Sequence, residues 1–239
     1  MLNQRAMEIL RALGVEDAVR AAGTPLAHMR YSAWYAGFAG ADADCGRRIG
    51  RAEAWGAGYT DTDWIAASPC ASTNLPQIRL EPILRARAEA LAPGRVCFHH
   101  EVTDLIQDDT GVTVTVVDRE RDATYRVRAA YVLACDGGRT IGSRLAVELE
   151  GQRGLASEVS IHMSADLSRW ARDADVLIRW IWVPETAALA VLVPTGPEHW
   201  GHESEEWVFH LNYPTDDPRS FDAAPRPRDP VDVQQRAGE

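Results

Sequence analysis

Apolar positions near the start of the chain recur at helical spacing. Ala6, Leu10 and Leu13 fall on one stripe, flanked by Met7 and Ile9, which predicts an amphipathic helix over residues 3–13. Asn3 suits the N-cap, because its side chain can accept from the free N–H groups of the first turn, and Gly14 supplies a left-handed stop. A second short helix over 16–22 ends at Gly23, and Pro25 prevents its continuation. From residue 26 to 69 the period is lost. Tyr31, Trp34, Tyr35, Phe38, Trp55, Tyr59 and Trp64 are interleaved with Gly and Asp, a pattern of short strands and turns rather than helix. Helical spacing returns over 75–92. There Leu80, Leu84 and Leu91 form the expected buried stripe, widened by Ile83 and Ala88. Pro93-Gly94 ends this helix, and Pro82 should disturb its first turn.

The pattern then changes to a period of two. Strands are expected over 95–100, 102–106, 112–117 and 125–128; Val112-Thr113-Val114-Thr115-Val116 alternates strictly after an Asp109-Thr110-Gly111 turn. This is the signature of a half-exposed antiparallel meander. Tyr131-Val132-Leu133-Ala134-Cys135 is an unbroken apolar run, as in a strand buried on both faces. Further strands are expected over 158–165, 176–182, 188–193 and 207–211. The segment 222–239, rich in Pro, Arg, Asp and Gln, has no apolar period and reads as a disordered tail. The whole is of mixed α/β class.

Composition narrows the function. A chain of 239 residues with 46% hydrophobic content can bury a core. Its net charge of −10 argues against nucleic acid as a partner, since phosphate contacts need a basic surface. Every basic side chain is Arg, with no Lys. No apolar run would span a bilayer and the start lacks a secretory h-region, so a cytoplasmic location without membrane partners is expected. Cys45, Cys70, Cys97 and Cys135 lack metal-site spacing and read as reduced thiols.

Three segments could carry chemistry. In Ala134-Cys135-Asp136-Gly137-Gly138-Arg139-Thr140 a strand end meets two glycines and a short helix, so the turn could offer backbone N–H groups to a pyrophosphate. Equally, Asp136 could simply cap that helix. Gln77, in Asn74-Leu75-Pro76-Gln77-Ile78-Arg79-Leu80-Glu81-Pro82, heads the long helix, where an amide can bind a polyol or serve as a surface residue. Arg5, in Asn3-Gln4-Arg5, could pair with a phosphate or lie on a solvated face.

In this order, the three segments resemble the FAD-dependent aromatic-ring hydroxylases, the phenol and chlorophenol hydroxylase group in particular. The Asp-Gly turn and the Leu-Pro-Gln segment carry most of the likeness. Ser68-Pro69-Cys70 and Trp207-Val208-Phe209-His210-Leu211 add to it. The resemblance implies that NAD(P)H reduces FAD, oxygen adds to the reduced flavin, and an aromatic small-molecule substrate is hydroxylated, with the protein positioning the flavin and excluding water. It implies that Gln77 contacts the ribityl region, and that Asp136 and Gly137 lie near the pyrophosphate, with Arg5 in the same neighbourhood.

The family's opening GxGxxG unit and its later Gly-Asp segment have no counterpart here. Gly137-Gly138-Arg139-Thr140-Ile141-Gly142 and Gly56-Ala57-Gly58 do not match the fingerprint. The expected architecture is therefore an incomplete FAD-binding domain over 1–150, with residues 26–69 joining a mainly antiparallel substrate-domain sheet over 151–221. A truncated reading frame would explain the missing parts. Such a chain should bind FAD weakly or not at all and show no independent activity. It would act as a partial hydroxylase, as a non-catalytic binding or interaction module, or as a half-enzyme completed by a second chain; uncovered apolar surface would favour oligomers. Trp180, Trp182 and Phe209 could line an aromatic pocket but read more naturally as core. None of His99, His100, His162 and His210 has a partner in sequence that marks it as a general base.

Overall fold

The computed structural model describes residues 1–38, 45–54, 60–138, 141–148, 150–151, 155–183 and 188–213. Trp55, Tyr59, Gly56-Ala57-Gly58, Arg139, Thr140 and the 222–239 segment lie outside them. The chain divides into two compact units, Met1–Arg87 with Gly154–Glu239, and Ala88–Arg153.

The first unit opens with α1 (Gln4–Ala12), which starts where the pattern predicts. Asn3 accepts from the Ala6 N–H at 2.8 Å. Its far end closes as a Schellman motif: Gly14 has φ +74°, its N–H bonds to the Arg11 carbonyl, and the Val15 N–H reaches back to Leu10. Val15 and Leu10 then enter one core with Met7, Val19 of α2 (Glu16–Ala22), Cys70 and Leu75. A single bridge from Leu2 to Thr73 brings the 70–75 segment onto α1.

This arrangement hands the chain to α4 (Gln77–Leu91), which carries Pro82 in its interior. Without an N–H, Pro82 cannot bond the Ile78 carbonyl. The expected stripe is shorter than its period suggested. Leu80, Ile83 and Leu84 pack on the core, whereas Leu91 is 62% exposed. Ala88 is exposed too, and both lie past the residue at which the first unit ends. Among the described residues, the 26–69 stretch holds a 3-10 turn at Leu26–His28 and an α-helix that the pattern missed, α3 (Thr62–Ala66). Asp61 nucleates it by accepting from the Asp63 and Trp64 N–H groups, a capping signal that aromatic content obscured.

Six strands of this unit form one sheet: β1 (Tyr31–Ala36), β2 (Arg47–Glu53), β6 (Ser157–Ser164), β7 (Val176–Val183), β8 (Ala188–Pro194) and β9 (Glu206–Tyr213). Their order is β2-β1-β7-β8-β9-β6. Only β1 and β7 run parallel; every other pair is antiparallel. One face is covered. Ile181, Ala190, Leu192 and Trp207 pack there with Ala171, and Leu167 and Phe209 close over them. Arg179 is buried on this face, 1% exposed, with its guanidinium 5.6 Å from the Trp207 ring. It donates to the carbonyls of Val176 (3.0 Å), Ala171 (3.4 Å) and Asp173 (2.6 Å). Those bonds are what make an interior cation tolerable.

The second unit is the expected meander, with β3 (His100–Asp108) replacing the two strands predicted before residue 107. β4 (Gly111–Asp118) lies between β3 and β5 (Ala123–Ala129). Val112, Val114 and Val116 are buried and their neighbours are not, as strict alternation requires. Gly111 cannot be replaced without movement: at φ +146°, a Cβ would sit 2.4 Å from the Ala129 carbonyl oxygen.

The run 131–135 departs from expectation. It forms no strand, and Tyr131 and Leu133 are 88% and 89% exposed. A strand buried on both faces needs partners on its edges, and among the described residues none pairs with it.

Candidate functional site

Asp136 stands at a turn of the second unit and does what a capping residue does. Its Oδ1 accepts from the Gly138 N–H at 2.9 Å and its Oδ2 from Ile141, the first residue of α5 (Ile141–Arg144), at 2.8 Å. Two donors that could have faced an anion are thus engaged internally, and a helix of four residues adds little dipole. Gly137 (φ +71°) and Gly138 (φ +76°) are needed for the left-handed backbone. Among the described residues, a Cβ on either would meet nothing within 4 Å. Beside the turn lies a cleft of about 350 Å³ bordered by Val102, Val132, Leu133, Cys135, Asp136 and Ile141.

Gln77 and Arg5 belong to the first unit. Gln77 is exposed at the start of α4 and its Nε2 donates to Glu81, leaving the amide oxygen without a protein partner among the described residues. Arg5 is solvated and donates to Glu8 at 2.7 Å. Hydrogen bonds from Ser68 and then Arg5 hold the Glu8 carboxyl below the usual carboxylate range, so Arg5 already serves a local ion pair.

The open face of the six-stranded sheet is chemically richer. Register places Trp34 beside Trp180, Trp180 beside Val191, Val191 beside His210, and His210 beside Ser160. Paired residues share a face, so one row across five strands carries two indoles, an aliphatic floor and an imidazole. Trp182 and Leu189 form the adjacent row. Trp34 and Trp182 are 40% and 44% exposed, while the Trp180 ring is held by its Nε1 donating to Ser32 at 2.8 Å. Trp180 and Trp182 are therefore not core, contrary to expectation, whereas Phe209 does pack on the covered face. The sequence marks Trp34 only as one of several aromatics in short strands and does not single out Ser160 or Glu158; the faint signal is the period-two phase that 180, 182 and 210 share with 34.

Polar groups frame this face. Glu206 accepts from Arg79 at 2.6 Å and lies 3.0 Å from His162 Nε2. On the opposite side of the sheet, Tyr35 donates to Asp173 at 2.6 Å, and Asp173 also takes Arg48 at 2.6 Å. Burial, reinforced by the Asp173 bond, raises the Tyr35 hydroxyl well above its ordinary range and keeps it protonated.

Residues 1–227 match the family model described as the FAD binding domain. The chain belongs to the FAD-dependent aromatic-ring monooxygenase family. It is 32% identical over 184 residues to the 2,4-dichlorophenol 6-monooxygenase of Delftia acidovorans, covering 76% of this chain and 30% of that protein. It is 35% identical over 173 residues to the phenol 2-monooxygenase of Pseudomonas sp. (strain EST1001), covering 72% and 26%. The fold superposes on the flavin-dependent monooxygenase PieE, solved in complex with FAD and substrate, with a TM-score of 0.78 and 32% identity, over 99% of this chain and 38% of that one. This monooxygenase-family chain thus spans about a third of the length of the relatives it matches.

Proposed function

We propose that this chain supplies the ring-binding sheet and one cofactor-contacting turn of an NAD(P)H-dependent flavin hydroxylase acting on phenol-type rings. The row Trp34–Trp180–Val191–His210 carries the reading. A half-exposed strip of indoles ending in an imidazole suits a flat ring with a polar substituent, and it is a poor use of tryptophan on a purely solvated surface. Relatives named for their action on phenol and on 2,4-dichlorophenol support the substrate class.

Each unit has a feature that fits FAD. In the second, the bare backbone of Gly137 and Gly138 admits a phosphate group, with Asp136 as the brace that keeps the turn open. In the first, the Gln77 amide oxygen, without a partner among the described residues, suits a hydroxyl of a polyol chain. Arg5 is not assigned a cofactor role, since Glu8 engages it. Bound flavin, reduced by a nicotinamide, supplies the oxygen-transfer chemistry. The chain's own residues hold the ring over Val191 against the Trp180 indole, with Trp34 behind it, orient its polar group toward His210, and keep water from the aliphatic floor at Leu189 and Val191.

The test is a titration of the full chain with phenol and with 2,4-dichlorophenol, followed by tryptophan fluorescence. Saturable quenching is expected. Trp180→Leu should weaken binding by the ~0.5–1.5 kcal/mol of an aromatic pair, about 2- to 12-fold. Absence of saturable binding, or binding indifferent to both Trp34→Leu and Trp180→Leu, would remove the ring site from this face.

A further inference from the structure

His210, Ser160 and Glu158 form a hydrogen-bonded set on the open face, contributed by β9 and β6. His210 Nδ1 lies 2.8 Å from Ser160 Oγ and 3.2 Å from Glu158 Oε1, and Ser160 Oγ lies 3.1 Å from the same carboxylate oxygen. Proton counting fixes the directions. Glu158 as a carboxylate can only accept, so Ser160 gives its single hydroxyl proton to Glu158. Nδ1 must then donate to Ser160 or Glu158. The neutral imidazole is thereby held as the tautomer with hydrogen on Nδ1, and the lone pair sits on Nε2. Nε2 has no protein partner among the described residues.

We infer that His210 Nε2 is the base that takes the hydroxyl proton of a phenolic ring bound on this face, with Ser160 and Glu158 as positioning residues. The inference rests on the ring-binding reading above and adds a proton acceptor to it. Trp180 and His210 are two strands apart in one row, with Val191 between them. At ordinary strand spacing that is roughly 10 Å between backbones, room for one substituted ring lying over Val191 with its hydroxyl toward the imidazole.

Among the described residues, no other titratable group on this face is as well placed. β8 presents Leu189, Val191 and Val193, and β7 presents its two indoles. On β6 the second imidazole, His162, is turned to Glu206, which also holds Arg79, and on β9 Asn212 donates to the Leu189 carbonyl at 3.3 Å. Glu158 is half-exposed and fully engaged by the set. The transfer balances without electrons changing hands. The ring O–H bond breaks, its proton passes to Nε2, and the new imidazolium faces the Glu158 carboxylate while the ring becomes a phenolate. A phenolate is the more electron-rich partner for electrophilic oxygen transfer.

4-Nitrophenol is a suitable probe, because its phenolate absorbs visible light and its ring quenches tryptophan. In the full chain, bound 4-nitrophenol should ionise at lower pH than in free solution. His210→Leu and His210→Asn should retain quenching but lose most of that shift; the Asn variant guards against a packing defect, since it keeps a donor toward Ser160. Glu158→Gln should lose part of it, because the imidazolium loses its counter-charge. An undiminished shift in both His210 variants would overturn the assignment to His210 while leaving the ring site standing. If the unmodified chain shows no quenching at all, both the ring site and the inference built on it fall.

Discussion

The two faces of the six-stranded sheet are built from alternate residues of the same strands, yet they have opposite chemistry. Arg179 is buried and bonded to three backbone carbonyls, and Trp180, the next residue, lies on the half-open face. Phe209 packs into the core, and His210 faces the other way, its Nε2 without a partner among the described residues. On the covered face a polar group is an obligation to be met by hydrogen bonds. On the open face it is an offer to a ligand. The lesson is that residue type alone does not separate core from site in a β-sheet; phase does.

That contrast can be broken by substitution. Trp207→Ala should have the largest effect. Its ring is fully buried and its Nε1 donates to the Ala165 carbonyl at 3.1 Å, so about 3–5 kcal/mol of stability should be lost, read as a lower urea midpoint. Arg179→Leu should follow, at about 3 kcal/mol, because three buried carbonyls lose their donor. Trp180→Leu should cost under about 1 kcal/mol of stability while weakening ring binding. If Trp180→Leu proved as destabilising as Trp207→Ala, the open face would be core after all.

β4 of the second unit offers a smaller and sharper version of the same test. Its buried phase ends not in a valine but in Asp118, 4% exposed. Burial pushes this carboxyl up, but the Arg121 and Glu120 N–H groups and the Arg121 guanidinium outweigh it and hold it below the usual range. A depressed carboxyl stabilises the fold above its unfolded pKa, and that contribution disappears as pH falls through the folded value. Acid unfolding monitored by circular dichroism should therefore lose part of its pH dependence below about pH 4 in Asp118→Asn. An unchanged acid limb would mean that the charge of Asp118 contributes nothing to this strand.

Much of the local structure could be read from the residues. The Asn3 cap, the Gly14 stop, the β4 alternation and the strands beginning near 157, 176, 188 and 206 follow from periods and capping chemistry acting over a few residues. The family was legible as well, through the order of the Leu-Pro-Gln and Asp-Gly segments. Two readings failed for one reason. The 131–135 run looks like a buried strand because its residues are apolar, and the 75–92 stripe looks continuous because its spacing is regular. In both, burial depended on whether another element lay opposite, which no short window reports.

By itself, then, the sequence determined the two ends of α1, the alternation of β4 and the kinship, the first two set by interactions between residues close along the chain. Tertiary structure alone decided that Trp34 meets Trp180, and that Ser160 and Glu158 meet His210. Those meetings are register, set when strands distant in sequence align their hydrogen-bond ladders and bury one face together. A histidine without a partner in sequence acquired two by strand pairing.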